Sequence, residues 1–207
     1  MSVVSSSFRS RFRATIEQPV AKVFVRTGLS PNALTVIGFG IAVVGAYFAA
    51  TQSWLVAGVI VAFGAVFDLF DGALARATGK TSKLGAFMDS TFDRAGESVV
   101  YIGIVVGFLR LADLNGATLS AAAMAAAFMV SYTRAKSESL GFSTGSGMAS
   151  VGLAPREIRS VILVAGLITA ALDVRLLVGA LALITILATV TTIQRIYFVY
   201  RQSQSTN

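Results

Sequence analysis

The feature that limits this chain most is a succession of six apolar segments, near 32–52, 54–78, 83–111, 115–139, 156–173 and 175–201. Each is long enough to cross a hydrocarbon core of about 30 Å. A segment in lipid must satisfy its own backbone N–H and C=O groups, so each is predicted to be a helix. The expected fold is therefore an all-α integral membrane protein with six transmembrane helices. Composition agrees: 55% of residues are hydrophobic and 13% charged, where soluble domains hold about 25% charged.

The charges give the orientation. The chain has 17 Lys and Arg, of which only Arg110 and Arg175 fall at one set of ends and Arg94 within the third span. The rest gather at the N-terminus, Arg76–Lys83, Arg134–Lys136, Arg156–Arg159 and Arg195–Arg201. Lys and Arg collect on the cytoplasmic side of membrane proteins, which predicts a multi-pass cell-membrane protein with both termini in the cytoplasm. The same rule explains the net charge of +7 without a nucleic-acid partner. Residues 1–30 have no continuous apolar core, but Phe8, Phe12, Ile16, Val20 and Phe24 recur every fourth residue among basic side chains. That pattern predicts an amphipathic helix lying in the interface, ahead of a six-helix domain over 31–207.

Against this apolar background stands "DLFDGALARATGKTSKLGAFMDSTFD", which places Asp68, Asp71, Asp89 and Asp93 at the cytoplasmic ends of spans two and three. Spacings of three and four put each pair on one helix face. An ionised Asp near the middle of a span costs about 2.5–3.5 kcal/mol, and four together repel. Arg76 and Arg94 do not balance four carboxylates. With no Cys and no His in the chain, a metal here must bind through oxygen. That points to Mg²⁺, or Mn²⁺, completed by phosphate oxygens.

The run Asp68-x2-Asp71-Gly72-x2-Ala75-Arg76-x8-Gly85-x3-Asp89-x3-Asp93 matches the signature of the CDP-alcohol phosphotransferase family, and the chain resembles that family over nearly its whole length. The resemblance implies an enzyme that moves a phosphatidyl group from CDP-diacylglycerol to an alcohol and releases CMP, working as a homodimer. It implies that Asp68, Asp71 and Asp89 hold one or two metal ions, with two expected, and that Asp93 is the base and also touches a metal. Gly72, Ala75, Arg76, Ser82 and Gly85 would line the donor pocket.

The acceptor must be sought elsewhere. The cytoplasmic ends of spans four to six carry Arg134, Lys136, Arg156, Arg159 and Arg195 to the depth of the aspartates. Arg195 lies a turn or more inside the last span, where a cation needs an anionic partner. A phosphorylated acceptor supplies one. "SYTRAKSESLG" with "PREIR" is similar to the bacterial phosphatidylinositol-phosphate synthases, which implies inositol 1-phosphate as acceptor, held by Ser131, Arg134, Lys136, Arg156 and Arg195. Glycerol 3-phosphate is the rival acceptor, and a cation transporter the rival of another class.

Four lesser expectations complete the sequence. Arg94 and Glu97 form an ion pair within a helix. Gly103-x3-Gly107 serves either a dimer face or internal packing. Trp54 and Tyr47 anchor the outer interface. The Gly- and Ser-rich stretch Gly141–Gly152 is a flexible link or a flap over substrate.

Overall fold

The computed structural model describes the backbone of residues 30–78, 82–142, 148 and 151–205 and, within these, all side chains except those of 69–78 and 205. The expected interfacial helix over residues 1–30 lies outside the described residues, apart from Ser30. Six helices fill the described chain: α1 (Pro31–Ala50), α2 (Trp54–Thr78), α3 (Lys83–Arg110), α4 (Leu114–Ser139), α5 (Arg156–Thr169) and α6 (Val174–Ser205). There is no strand among the described residues.

Helix ends follow local chemistry. Ser30 caps α1 by accepting from the Ala33 N–H, and Pro31 begins the helix where its missing N–H costs nothing. Ser82 caps α3 through the Gly85 N–H at 2.9 Å, and Asp113 caps α4 through the Gly116 N–H at 2.9 Å. The α1–α2 and α3–α4 turns close sharply with a single left-handed residue each, Gln52 (φ 64°) and Ala112 (φ 55°).

The helices form a ring in the contact order α1, α2, α5, α6, α4, α3 and back to α1. Along their described lengths α2 and α3 pack on α1 rather than closely on each other. A cleft lies between α2 and α3. Gly96, Gly103 and Gly107 of α3 form the seam with α1: an added Cβ would press on Ala42, on the Ala46 carbonyl and on the Ala49 carbonyl respectively. Gly103 and Gly107 therefore serve internal packing. Trp54 is also internal, being buried and packed on Phe108 at 5.6 Å between ring centroids. This corrects its expected place as an interfacial anchor, since the indole packs inside the bundle on Phe108 instead of lying on the surface. Tyr47 remains exposed.

Helices α1, α4 and α6 are long and apolar enough to cross a membrane, and α2 has a shorter apolar stretch over Trp54–Asp68. This fits a membrane protein, as do outward-facing Phe63, Val161 and Ile186. Helix α3 carries Asp89, Asp93, Arg94 and Glu97 through its first half. Helix α5 has 14 residues, about 21 Å at 1.5 Å per residue, and stops short of the expected 156–173. Its brevity has a use. Asp93 lies ten residues into α3, roughly 15 Å from its start, and the first residue of α5 begins at that depth.

The link before α5 is pinned where it is described. Thr191 Oγ1 accepts from the backbone N–H groups of Leu153 (3.1 Å) and Ala154 (3.0 Å), and Arg195 Nε donates to the Val151 carbonyl at 3.0 Å. Met148 is fully buried. Residues 143–147 and 149–150 lie outside the described residues.

Candidate active site

Three acids meet where α2, α3 and α5 converge. One carboxylate oxygen each from Asp68, Asp89 and Asp93 lies within 4.8 Å of the others, all partly buried. Arg156, first residue of α5, lies among them: its Nη1 donates to Asp68 Oδ2 at 2.7 Å and to Asp93 Oδ2 at 2.5 Å. One nitrogen thus joins carboxylates from two helices 25 positions apart in sequence. An all-oxygen set with this spacing, already drawn together by a positive charge, suits a hard divalent cation. Asp71 is on α2, but its side chain lies outside the described residues, as do those of Ala75 and Arg76 and the surroundings of Gly72.

One turn deeper α3 and α5 are tied again. Glu97 accepts from Arg159 at Oε1 (3.0 Å from Nη2, 3.2 Å from Nε) and at Oε2 (3.1 Å from Nη2). Arg159 is 1% exposed and also donates to the Ala154 carbonyl at 3.0 Å. Asp93 and Glu97 are four apart, and Arg156 and Arg159 three apart, so two acid–arginine rungs stack between α3 and α5. The expected Arg94–Glu97 pair is loose at 4.0 Å. Arg159 takes Glu97 instead, because a bidentate fork on a neighbouring helix fits a carboxylate better than a side chain three residues along.

Arg94 turns elsewhere. Its Nη1 donates to Ser131 Oγ on α4 at 2.6 Å and its Nη2 to Asp93 Oδ2 at 3.3 Å. A cleft beside the acids is lined by Phe39 and Ala42 of α1, Val61 of α2, Val100 of α3 and Leu163 of α5 together with Asp68, Asp93, Glu97 and Arg156.

A family model for CDP-alcohol phosphatidyltransferases matches residues 28–194. The chain belongs to the CDP-alcohol phosphatidyltransferase family. It is 38% identical to the archaetidylinositol phosphate synthase of Pyrococcus horikoshii, over 91% of this chain and 94% of that one. Its structure resembles that of the phosphatidylinositol phosphate synthase of Mycobacterium tuberculosis with CDP-DAG bound, with a TM-score of 0.80 and 26% identity over 89% of this chain and 94% of that one. The same protein in complex with manganese and citrate matches with a TM-score of 0.77 and 25% identity, over 89% of each chain.

Within this CDP-alcohol phosphatidyltransferase fold, the residues expected from sequence separate into groups. Asp68, Asp89, Asp93 and Arg156 are brought together, and Ser131 joins them through Arg94. Ser82 is engaged as the α3 cap, and Gly85 leaves room there, since a Cβ would lie 3.1 Å from Ser82 Oγ and 3.3 Å from Asn32 Oδ1. Arg134 is paired with Glu138 at 2.9 Å on the surface, and Lys136 is exposed. Arg195 is 3% exposed, and its guanidinium donates to the carbonyls of Val130 and Val151 rather than to an acid. Carbonyl dipoles take the place of the anion expected for it, and this sets Arg195 one residue from Ser131. Sequence reasoning underweighted Arg94, Glu97 and Arg159. The signal was present: acids at i and i+4 on one helix face arginines at j and j+3 on another.

Proposed function

We propose that the chain transfers the phosphatidyl group of CDP-diacylglycerol to a hydroxyl of inositol 1-phosphate, giving phosphatidylinositol phosphate and CMP. The observation that carries this reading is the meeting of Asp68, Asp89 and Asp93 beside Arg156, with Arg94 leading from Asp93 to Ser131. The relatives support the acceptor, since both named synthases make an inositol phosphate lipid. The cation-transporter alternative is set aside by membership of this family.

Asp68, Asp71, Asp89 and Asp93 hold the divalent metal, taken as Mg²⁺ with Mn²⁺ able to replace it and with two ions expected. Bound there, the metal neutralises charge on the pyrophosphate oxygens. Gly72, Ala75, Arg76, Ser82 and Gly85 make the donor pocket. Asp93 accepts the proton of the acceptor hydroxyl as its oxygen bonds to the lipid-bearing phosphorus. The bond from that phosphorus to the CMP oxygen breaks, and CMP carries away the electron pair. Ser131, Arg134, Lys136, Arg156 and Arg195 receive the acceptor's phosphate.

In the membrane all six helices cross, with both termini and the acids on the cytoplasmic side, and two copies assemble through a face that excludes the buried Gly103 and Gly107. The acceptor is tested with purified protein, Mg²⁺ and CDP-diacylglycerol. Inositol 1-phosphate is expected to yield lipid product and CMP, while free inositol and serine do not. Product from glycerol 3-phosphate but none from inositol 1-phosphate would make the chain a phosphatidylglycerol-phosphate synthase.

A further inference from the structure

We infer that Arg94 is a positioning residue that couples the base to the acceptor site, holding Asp93 and Ser131 in one fixed relation. The inference rests on the phosphatidyl-transfer reading above and assigns a part to a residue outside the metal-binding acids and the acceptor cations.

Arg94 also lies at ion-pair distance from Glu97, but its hydrogen bonds go elsewhere. Both Glu97 oxygens already accept from Arg159, while Arg94 Nε stays 4.0 Å away. That Nε is buried and has no hydrogen-bond partner among the described residues. Arg94 is therefore placed by its two terminal nitrogens, which go to Asp93 on its own helix and to Ser131 on α4. A planar fork is suited to holding two oxygens at a set separation, and a lysine is not.

The consequence for each partner is specific. Asp93 Oδ2 accepts from Arg94 and from Arg156 together, which fixes the plane of its carboxylate. Ser131 Oγ accepts from Arg94 at 2.6 Å, so its own hydrogen must point away, and the acceptor it meets among the described residues is the Ala127 carbonyl at a weak 3.4 Å. That hydrogen is available to a phosphate oxygen, next to a positive charge. An acceptor whose phosphate sits at Ser131 is then registered, through one guanidinium, against the oxygen that takes its proton. Recognition of the phosphate and orientation of the base become one event.

The test uses full-length protein in lipid or detergent, with Arg94→Gln, Arg94→Lys, Ser131→Ala and the double variant Arg94→Gln/Ser131→Ala. Arg94→Gln is expected to raise KM for inositol 1-phosphate by about ten- to a hundredfold, the scale of a charge-assisted hydrogen bond, with KM for CDP-diacylglycerol and Mn²⁺-dependent CDP binding unchanged. Arg94→Lys should fall between wild type and Arg94→Gln. The double variant should be within about threefold of the worse single one, since both break a single link. Unchanged acceptor KM in Arg94→Gln, equal losses for donor and acceptor, or effects of the two single changes that multiply would each overturn the inference. Wild-type protein that makes no phosphatidylinositol phosphate would defeat the underlying reading instead, and CDP binding by the variants tells the two failures apart.

Discussion

Asp93→Asn is expected to lower turnover by about 10²–10⁴-fold, the usual contribution of a positioned general base, while the protein still binds CDP-diacylglycerol. The change keeps the size of the side chain and removes its charge and its ability to take a proton. Asp68 and Asp89 remain to face the donor, within 4.8 Å of the same place. Arg94 and Arg156 both touch Asp93 Oδ2, and an amide oxygen can still accept from them, so the local arrangement survives. Steady-state turnover paired with CDP binding in the presence of Mn²⁺ checks the claim. Activity near that of wild type would remove Asp93 from the role of base, and loss of CDP binding in step with turnover would make it chiefly a donor-site residue.

The second large effect falls on stability. Glu97→Gln removes the negative charge beside Arg159, which is 1% exposed; an amide oxygen and the Ala154 carbonyl still accept from it, but neither neutralises it. Removing one partner of a buried ion pair costs about 3–5 kcal/mol, because the other charge stays desolvated without compensation. Replacing both partners with apolar groups of similar volume is often neutral. Denaturant or thermal unfolding in detergent should therefore show a deep loss for Glu97→Gln and recovery of most of it in Glu97→Met/Arg159→Met. The rung matters to the site as well as to the fold. It lies one turn from Arg156 on α5 and one turn from Asp93 on α3, so it fixes the register that lets those two meet. A loss below about 1 kcal/mol would mean that the pair behaves as an exposed salt bridge and sets no register.

Much of this was legible in the sequence, and the limits are physical. Apolar run length gives the six helices to within about four residues, the largest differences being the ends of α5, at Thr169 rather than 173, and α6, at Ser205 rather than 201. A backbone that turns early leaves the same hydropathy trace as one that does not. Spacings of three and four put Asp68 with Asp71 and Asp89 with Asp93 on shared faces, and Asp68, Asp89 and Asp93 do converge. Periodicity names the face a side chain occupies, not the partner it meets. Glu97 does pair with Arg94, three residues along, at 4.0 Å, but its hydrogen bonds go to Arg159, 62 positions away, which periodicity alone does not name. The glycines at 103 and 107 fitted a contact between copies as well as one within the chain, and only the approach of the Ala46 and Ala49 carbonyls decides between them. Arg195 was correctly expected to face inward; that its partners are carbonyls follows from the way the link before α5 docks on α6, which hydropathy does not encode.

The central claim is that the carboxylates of Asp68, Asp89 and Asp93 form a divalent-cation site that completes itself on a nucleotide-linked phosphate. Anomalous diffraction from crystals soaked with Mn²⁺ and CDP tests it most directly. The expected result is a peak among these three side chains, weakened or lost in Asp89→Asn. Density for CDP with no anomalous peak between the carboxylates would contradict the account.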